Sequence, residues 1–354
     1  MLIQAWHYAA PNYPYTCYDV LYRTPRQHVG GCLWHSFDHQ RGYHPDPFYG
    51  GLMDVFRQPK YSYYMFQAQR SPKKQDRLFE TGPMVYIAHE MTPFSPKDVT
   101  VYSNCDEVRL TYNKRGKSLT YTKPVSREGM PSPIITFKDV YNFMIDKNMS
   151  MKEGRQKEVF LLAEGLINGK VVATHKVCPA RRPSKLLLWI DNENTELKAD
   201  GSDFVTVIAA IADKNGNIKR LNNYYVKFHI EGEGRILGGA NVLANPAPVK
   251  WGTAPILVQS TLKPGKIKIT ASVLFEGSQM PVSAELELES KPSAYPLIYA
   301  SEEAALIPMK SDSQSFPITA KSQKELEKEK AVKEQNERKL KEVEQQQADF
   351  GEKK

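Results

Sequence analysis

No glutamate occurs in the first 79 residues of this 354-residue chain; the first is Glu80. Any chemistry that needs a pair of glutamates is therefore absent from that stretch. Cysteine is scarce too: Cys17, Cys32, Cys105 and Cys178 are scattered with no CxxC pair. That argues against a disulfide framework and against a zinc site, and no metal or other cofactor is expected. No run of 18 apolar residues exists, so no membrane-spanning helix is expected. The start, "MLIQAWHYAAPNYPYTCYD", has neither a basic leader nor a cleavage pattern, so no signal peptide is expected. It reads instead as the middle of an uncapped amphipathic helix, as if the chain began inside a domain. A charge of one sign is also missing. The 48 Lys and Arg against 40 Asp and Glu leave a net +8, spread along the chain and mixed with acids. That is a mildly basic solvated surface, and no nucleic-acid partner is expected.

What the chain does have is one unusual stretch, "GGCLWHSFDHQRGYHPDPFYGGLMD" (Gly30 to Asp54). It concentrates Trp34, three histidines, three aspartates, Arg41 and several phenylalanine and tyrosine rings, the composition of a polar site lined with aromatic surface. Around it, residues 1–78 read as a helix, a short strand in "CLWHSF", a polar loop, and a second helix in "YSYYMFQAQR". One strand between helices, with a functional-looking loop after it, is a βα-type piece too small to bury its own core.

From Met84 the pattern changes to alternation. "MVYIAHEM", "VTVYSN", "EVRLTYN", "EVFLLAEGLING" and "KVVATHKV" are short strand-like runs separated by turn formers. This predicts an immunoglobulin-type sandwich over residues 79–182, with Lys123 to Lys157 as a loop and a short helix. "PARRP" (Pro179 to Pro183) reads as a linker. "LLLWIDN", "FVTVIAAIAD", "YYVKFHIEG", "APILVQSTL", "KIKITASV" and "SAELELES" then predict a second sandwich over 183–291. "DKNGN" is its strongest hairpin turn, because Asn-Gly supplies positive φ. Residues 292–354 read as a linker followed by a charged tail, helical or disordered, rich in i to i+4 Glu/Lys pairs and without sustained heptads.

Three other patterns carry less. "EGEGRILGGAN" is not GxGxxG and opens no helix, so it reads as a glycine-rich turn rather than a phosphate cradle. His35 and His39 have the spacing of a helical metal site. They fall on strand and loop, where that spacing is not expected to put two rings on one face. Cys32 sits in an apolar run and reads as core. Composition leaves Trp34 open between a core residue and an aromatic platform for the apolar face of a sugar. Asp38, His39, Arg41, His44 and Asp46 are the nearby polar groups.

A resemblance decides the matter. The stretch from Gly30 to Arg70 resembles the last strand and helix of the catalytic barrel in family 2 glycoside hydrolases, the β-galactosidase family. The matching residues are Gly30 and Gly31, Trp34, Asp38, Gly51 to Asp54, and Pro59 to Tyr64. "VTVYSNCDEVRLTYN" is similar to the first sandwich after that barrel, departing at "NKRGK". "LKADGSDFVTVIAAIADKNGN", "VKFHIEGEGRILGGAN" and "LKPGKIKITAS" look like the family's last sandwich. The resemblance covers about residues 1–290 in three ordered blocks.

It implies a mainly β protein: the last βα piece of a TIM barrel (1–78), then two immunoglobulin-like β-sandwiches (79–182 and 183–291), then the tail (292–354). It also implies retaining cleavage of a β-linked galactoside or related glycan, by two carboxyls about 5 Å apart on opposite sides of the bond. In the family both are glutamates on earlier barrel strands, and neither is encoded here. The expectation is that no catalytic residue lies in this chain and that the missing barrel portion is its partner. Trp34, Asp38, His39 and Arg41 are the implied sugar-binding residues. A non-catalytic carbohydrate-binding or structural sandwich protein is the alternative. Relatives of this type are often exported to the periplasm, but the chain itself leaves the compartment open.

Overall fold

The computed structural model describes residues 2–9, 18–24, 27, 31, 33–42, 47–74, 81–112, 118–124, 129–151, 159–191, 195–274 and 281–294. The tail from residue 295 and the thiols of Cys17 and Cys32 lie outside these residues, as do Glu80, His44 and Asp46. Three helices precede the sheets: α1 (Leu2–Ala9), α2 (Tyr18–Leu21) and α3 (Tyr61–Gln67). Ala5 and Ala9 of α1, four residues apart on one helix face, are buried in the same cluster as Tyr61 and Met65 of α3.

Among the described residues, seven strands and one helix follow: β1 (Val85–Ala88), β2 (Val99–Ser103), β3 (Glu107–Tyr112), β4 (Ser118–Thr122), β5 (Ile135–Phe137), α4 (Phe143–Met151), β6 (Leu161–Ile167) and β7 (Lys170–Val177). They make two antiparallel sheets, β1-β2-β5 and β4-β3-β6-β7. Val99, Val101 and Ile135 from the first sheet meet Val108, Leu110, Leu161 and Ala163 from the second in one buried core. Each such aliphatic side chain contributes about 1.5–3 kcal/mol when fully buried.

All five residues of β2 are buried. Its alternate residues Val99 and Val101 face the sandwich core, while Tyr102 joins Ala5, Met65 and Met130 in the helical cluster. The N-terminal helices thus pack on the outer face of the three-stranded sheet. Tyr64 of α3 stacks on Tyr86 of β1 at 3.6 Å, and Tyr86 stacks on His175 of β7 at 4.5 Å.

Nine more strands build the second sandwich: β8 (Lys185–Asp191), β9 (Lys198–Ala199), β10 (Phe204–Ala212), β11 (Tyr225–Gly232), β12 (Gly234–Ile236), β13 (Ala247–Pro248), β14 (Thr253–Ser260), β15 (Gly265–Val273) and β16 (Ala284–Pro292). The sheets are β12-β14-β10-β8 and β13-β11-β15-β16-β9. Val205, Val207, Ala209 and Ile211 of β10 pack against Val226, Phe228, Ile267 and Ile269 between the layers. The Asn-Gly turn forms, with Gly216 at φ 89° and the Asp213 amide bonded to the Asn217 carbonyl at 3.0 Å, but it closes only an isolated Ala212–Ile218 bridge, and β10 and β11 lie in different sheets rather than in the expected hairpin. Both buried and half-buried thiols that are described, Cys105 and Cys178, are free. Among the described residues no helix is long and apolar enough to cross a membrane.

The chain is mainly β, with two sandwiches after a helical segment. Two local readings are corrected. Among the described residues, the run Leu33 to Phe37 forms no regular strand; its neighbourhood has isolated bridges, Phe37 to Met53 and His39 to Phe48. A parallel barrel strand takes its ladder from strands on both sides, and among the described residues no such neighbours lie beside it. The stretch from Lys123 to Lys157 holds strand β5 as well as the expected short helix. Three residues are too few to show a period, and β5 exists through its ladder with β2.

Candidate functional site

The site is built on the loop between Trp34 and Lys60. Pro59 and Lys60 lead into α3, and Lys60 occupies the helix N-cap position with extended backbone and no side-chain cap. Serine, threonine, aspartate or asparagine is favoured there. The lysine side chain turns back instead, and its ammonium donates to Asp38 Oδ1 at 2.5 Å and to the Tyr49 carbonyl at 3.0 Å. Asp38 Oδ1 also accepts the Gly51 amide at 3.0 Å. Both side chains are close to fully buried, 10% and 5% exposed. A charge so placed is tolerated only because it is paired and hydrogen-bonded.

Helix α1 holds the same loop from the other side. Gln4 Nε2 donates to the Gly51 carbonyl at 2.9 Å and to the Tyr49 carbonyl at 3.2 Å, and the Tyr8 hydroxyl donates to the Gly50 carbonyl at 2.6 Å. Position 51 admits only glycine in this packing, since a Cβ there would sit 2.2 Å from the Phe37 carbonyl carbon. Asp54 organises the next turn: its Oδ1 accepts the amides of Phe56 and Gln58 at 2.8 and 2.9 Å. Burial pushes the Asp54 carboxyl up from its ordinary value, against those two amides, which pull it down.

Above this base lies a group of rings. Trp34 is 87% exposed, so it is no part of the cores formed by the described residues. Its indole meets the His35 ring edge-on at 5.8 Å. His35 and His39 lie 4.4 Å apart, and both rings approach Phe48, at 4.6 and 5.5 Å. The Arg41 guanidinium sits 5.4 Å from the Phe48 ring centre. The two histidines therefore do share a face, contrary to the sequence reading. The bridges at Phe37 and His39 bend the backbone between them, so the flat-strand period does not apply. Burial, then the neighbouring His39, lowers the pKa of His35, which favours the neutral ring. A neutral imidazole at His35 offers one donor and one acceptor, a set that suits hydroxyl groups beside a flat indole.

Of the residues named from the sequence, the structure brings Trp34, His39 and Arg41 to one aromatic surface and places Asp38 beneath it. The Asp38 carboxylate faces Lys60 and Gly51. Among the described residues no group of three or more His, Cys, Asp or Glu stands together in a metal-like arrangement. Sequence reasoning weighed His35 only as a metal ligand and gave Phe48 and Lys60 no place in the site. The available signal for Lys60 was a lysine where a helix cap belongs.

A concavity lies where the two sandwiches meet. It is a cleft of about 400 Å³, lined among others by Glu90, Met91, Phe143, Arg181 and Arg220. At its floor Arg220 Nε donates to Glu90 Oε2 at 3.0 Å, and the Tyr61 hydroxyl donates to Glu90 Oε1 at 3.0 Å.

The fold defines a class: two antiparallel β-sandwiches preceded by a short helical segment. Comparison with known proteins makes the class specific. The family description "Glycoside hydrolase family 2 C-terminal domain 5" matches residues 188–274. A β-galactosidase of Thermoanaerobacter pseudethanolicus is 32% identical over 273 residues, covering 75% of this chain and 34% of that protein. A β-galactosidase of Bacteroides ovatus is 28% identical over 261 residues, covering 69% of this chain and 27% of that protein. A solved β-glycosidase from Bacteroides vulgatus shares the fold, with a TM-score of 0.52 at 23% identity over 72% of this chain and 30% of that one. The chain carries a C-terminal portion of a family 2 glycoside hydrolase. Its matches span about a third or less of the length of these relatives.

Proposed function

We propose that this chain serves as the C-terminal part of a retaining β-glycosidase acting on β-linked galactosides or related glycans. Residues 1–78 close the catalytic barrel, 79–182 and 183–291 are the two sandwiches, and 292–354 is the tail. The chain supplies one wall of the sugar site, with Trp34 stacking on the ring, His39 and Arg41 beside it, and Asp38 holding the loop from below. The acid/base and the nucleophile come from barrel strands outside this sequence.

The observation that carries the reading is the state of Asp38. Retaining cleavage needs two carboxyls facing one bond from opposite sides. Asp38 is buried, paired with Lys60 and committed to Gly51, and Asp54 is occupied by its own turn. Of the two described aspartates of the loop, neither faces the surface formed by Trp34 and the histidines as a second, opposed carboxyl; Asp46 lies outside the described residues. This leaves binding as the contribution of these residues.

The test is turnover of a nitrophenyl β-galactoside by the purified chain alone. The expected result is none, because each missing carboxyl normally contributes about two or more orders of magnitude. Turnover that disappears on Asp38→Ala or Asp54→Ala overturns the reading. Galactoside affinity that is unaffected by Trp34→Ala, with no turnover in any combination, favours a separate carbohydrate-binding or structural role.

A further inference from the structure

The second sandwich is linked to the site loop by two routes, one direct and one through Glu90 of the first sandwich to Tyr61 at the start of α3. Gln58 Nε2 donates to Asp191 Oδ2 at 2.9 Å. Asp191 ends β8 on the sheet face opposite the core, since its ladder partner is Thr206 while the neighbouring Ile190 pairs with core Val207. That face is covered, because Thr206, Ile208 and Ala210 of β10 are all buried there. The second contact runs through three residues. The Tyr61 hydroxyl bonds Glu90 Oε1, Glu90 Oε2 accepts Arg220 Nε, and Arg220 Nη1 donates to the Trp251 carbonyl at 3.1 Å. The Arg220 and Glu90 side chains are 25% and 17% exposed, so solvent weakens their attraction only partly.

The two tethered positions, 58 and 61, flank Pro59 and Lys60. Lys60 is the side chain that fixes Asp38. Gln58 in turn closes the Asp54 turn through its own amide and carbonyl, and the Asp54 turn abuts Met53, whose carbonyl accepts the Asp38 amide at 2.9 Å. Hydrogen bonds and the Met53–Asp54 peptide bond thus join the second sandwich to the base of the aromatic wall.

We propose that the second sandwich is a strut that sets the position of the Trp34 wall, with Gln58, Asp191, Glu90, Tyr61 and Arg220 as positioning residues. Its consequence for sugar recognition rests on the functional reading above; its mechanics do not. Two variants of the full chain separate the cases. Gln58→Met with Tyr61→Phe cuts both tethers from the loop side and leaves the second sandwich unaltered. Asp191→Ala with Arg220→Met cuts them from the sandwich side. Hydrogen exchange is read in peptides covering 34–41 and 51–60, and in the control strand 205–212.

Both variants are expected to speed exchange in the two loop peptides about tenfold or more, the scale of losing charge-assisted bonds, with the control strand unchanged. Unchanged loop exchange in either variant overturns the proposal, and so does an equal loss across loop and control strand. In an enzyme completed by the remaining barrel, the same variants are expected to raise KM for a galactoside several-fold; an unchanged KM with altered exchange overturns the link to sugar binding. If the completed wild-type enzyme has no glycosidase activity, the functional reading falls, while the exchange result still decides the strut.

Discussion

Replacing Asp38 by Asn leaves the Lys60 ammonium buried against a neutral amide. Replacing Lys60 by Met leaves a buried carboxylate whose remaining bond is the Gly51 amide. Both side chains are at or below 10% exposure, so water cannot rescue either orphan. Removing one partner of such a pair costs about 3–5 kcal/mol, whereas removing both costs much less, because the desolvation penalty disappears with the charges. The Asp38→Asn/Lys60→Met double variant keeps an acceptor for Gly51 and should therefore lose clearly less than the sum of the singles. The loss is local, since these residues hold the loop and not the sandwich cores. About 3 kcal/mol multiplies the open population of the loop by roughly a hundred or more. Thermolysin cleavage between residues 34 and 60, measured under native conditions, reads that population. Singles that cost under about 1 kcal/mol, or a double equal to their sum, would refute the idea that one buried charge pair holds the wall in place.

A buried histidine, His89, and a half-buried one, His175, should make stability fall in mild acid. His89 accepts the Met91 amide at Nδ1 at 3.1 Å, and His175 accepts the Ile87 amide at Nδ1 at 3.0 Å, so both are held neutral. Burial lowers both pKa values. The unfolded chain takes up these protons near pH 6.5 and the folded chain only at lower pH. Stability should therefore be flat above about 6.5 and decline below it, by at most about 1.4 kcal/mol per pH unit for each group. Urea midpoints across pH 5 to 8 check this, and a rise in acid contradicts it. Trp34→Ala should change overall stability by no more than about 0.5 kcal/mol because the side chain is 87% exposed; a loss of several kcal/mol in thermal unfolding would mean that Trp34 is part of a core.

The strands that were legible in the sequence are those with one face in the core and one outside. β3, "EVRLTY", buries every second residue against β6 and shows its period openly. Strand β10 was legible for a different reason, as a continuous apolar run that is buried on both faces. The short strands β5, β9, β12 and β13 carry no period of their own and exist through their ladders. In the site, Trp34 stood out because a large ring among polar residues is conspicuous by composition. The Asp38–Lys60 pair did not, because its two members are joined by the fold rather than by spacing. The ring pair of His35 and His39 was misread for the same reason: the bend between them is imposed by Met53 and Phe48, residues that a local pattern does not include.

The central claim, that this chain supplies binding surface to a barrel that supplies the carboxyls, is tested most directly by complementation. The chain is mixed with a polypeptide carrying the remaining barrel strands, and β-galactoside turnover is followed against chain concentration. The account predicts activity that appears only in the mixture, saturates with added chain, and is strongly reduced by Trp34→Ala in a chain whose melting temperature is unchanged. Activity of the barrel polypeptide that is indifferent to this chain, or equal activity with the Trp34→Ala chain, would contradict it.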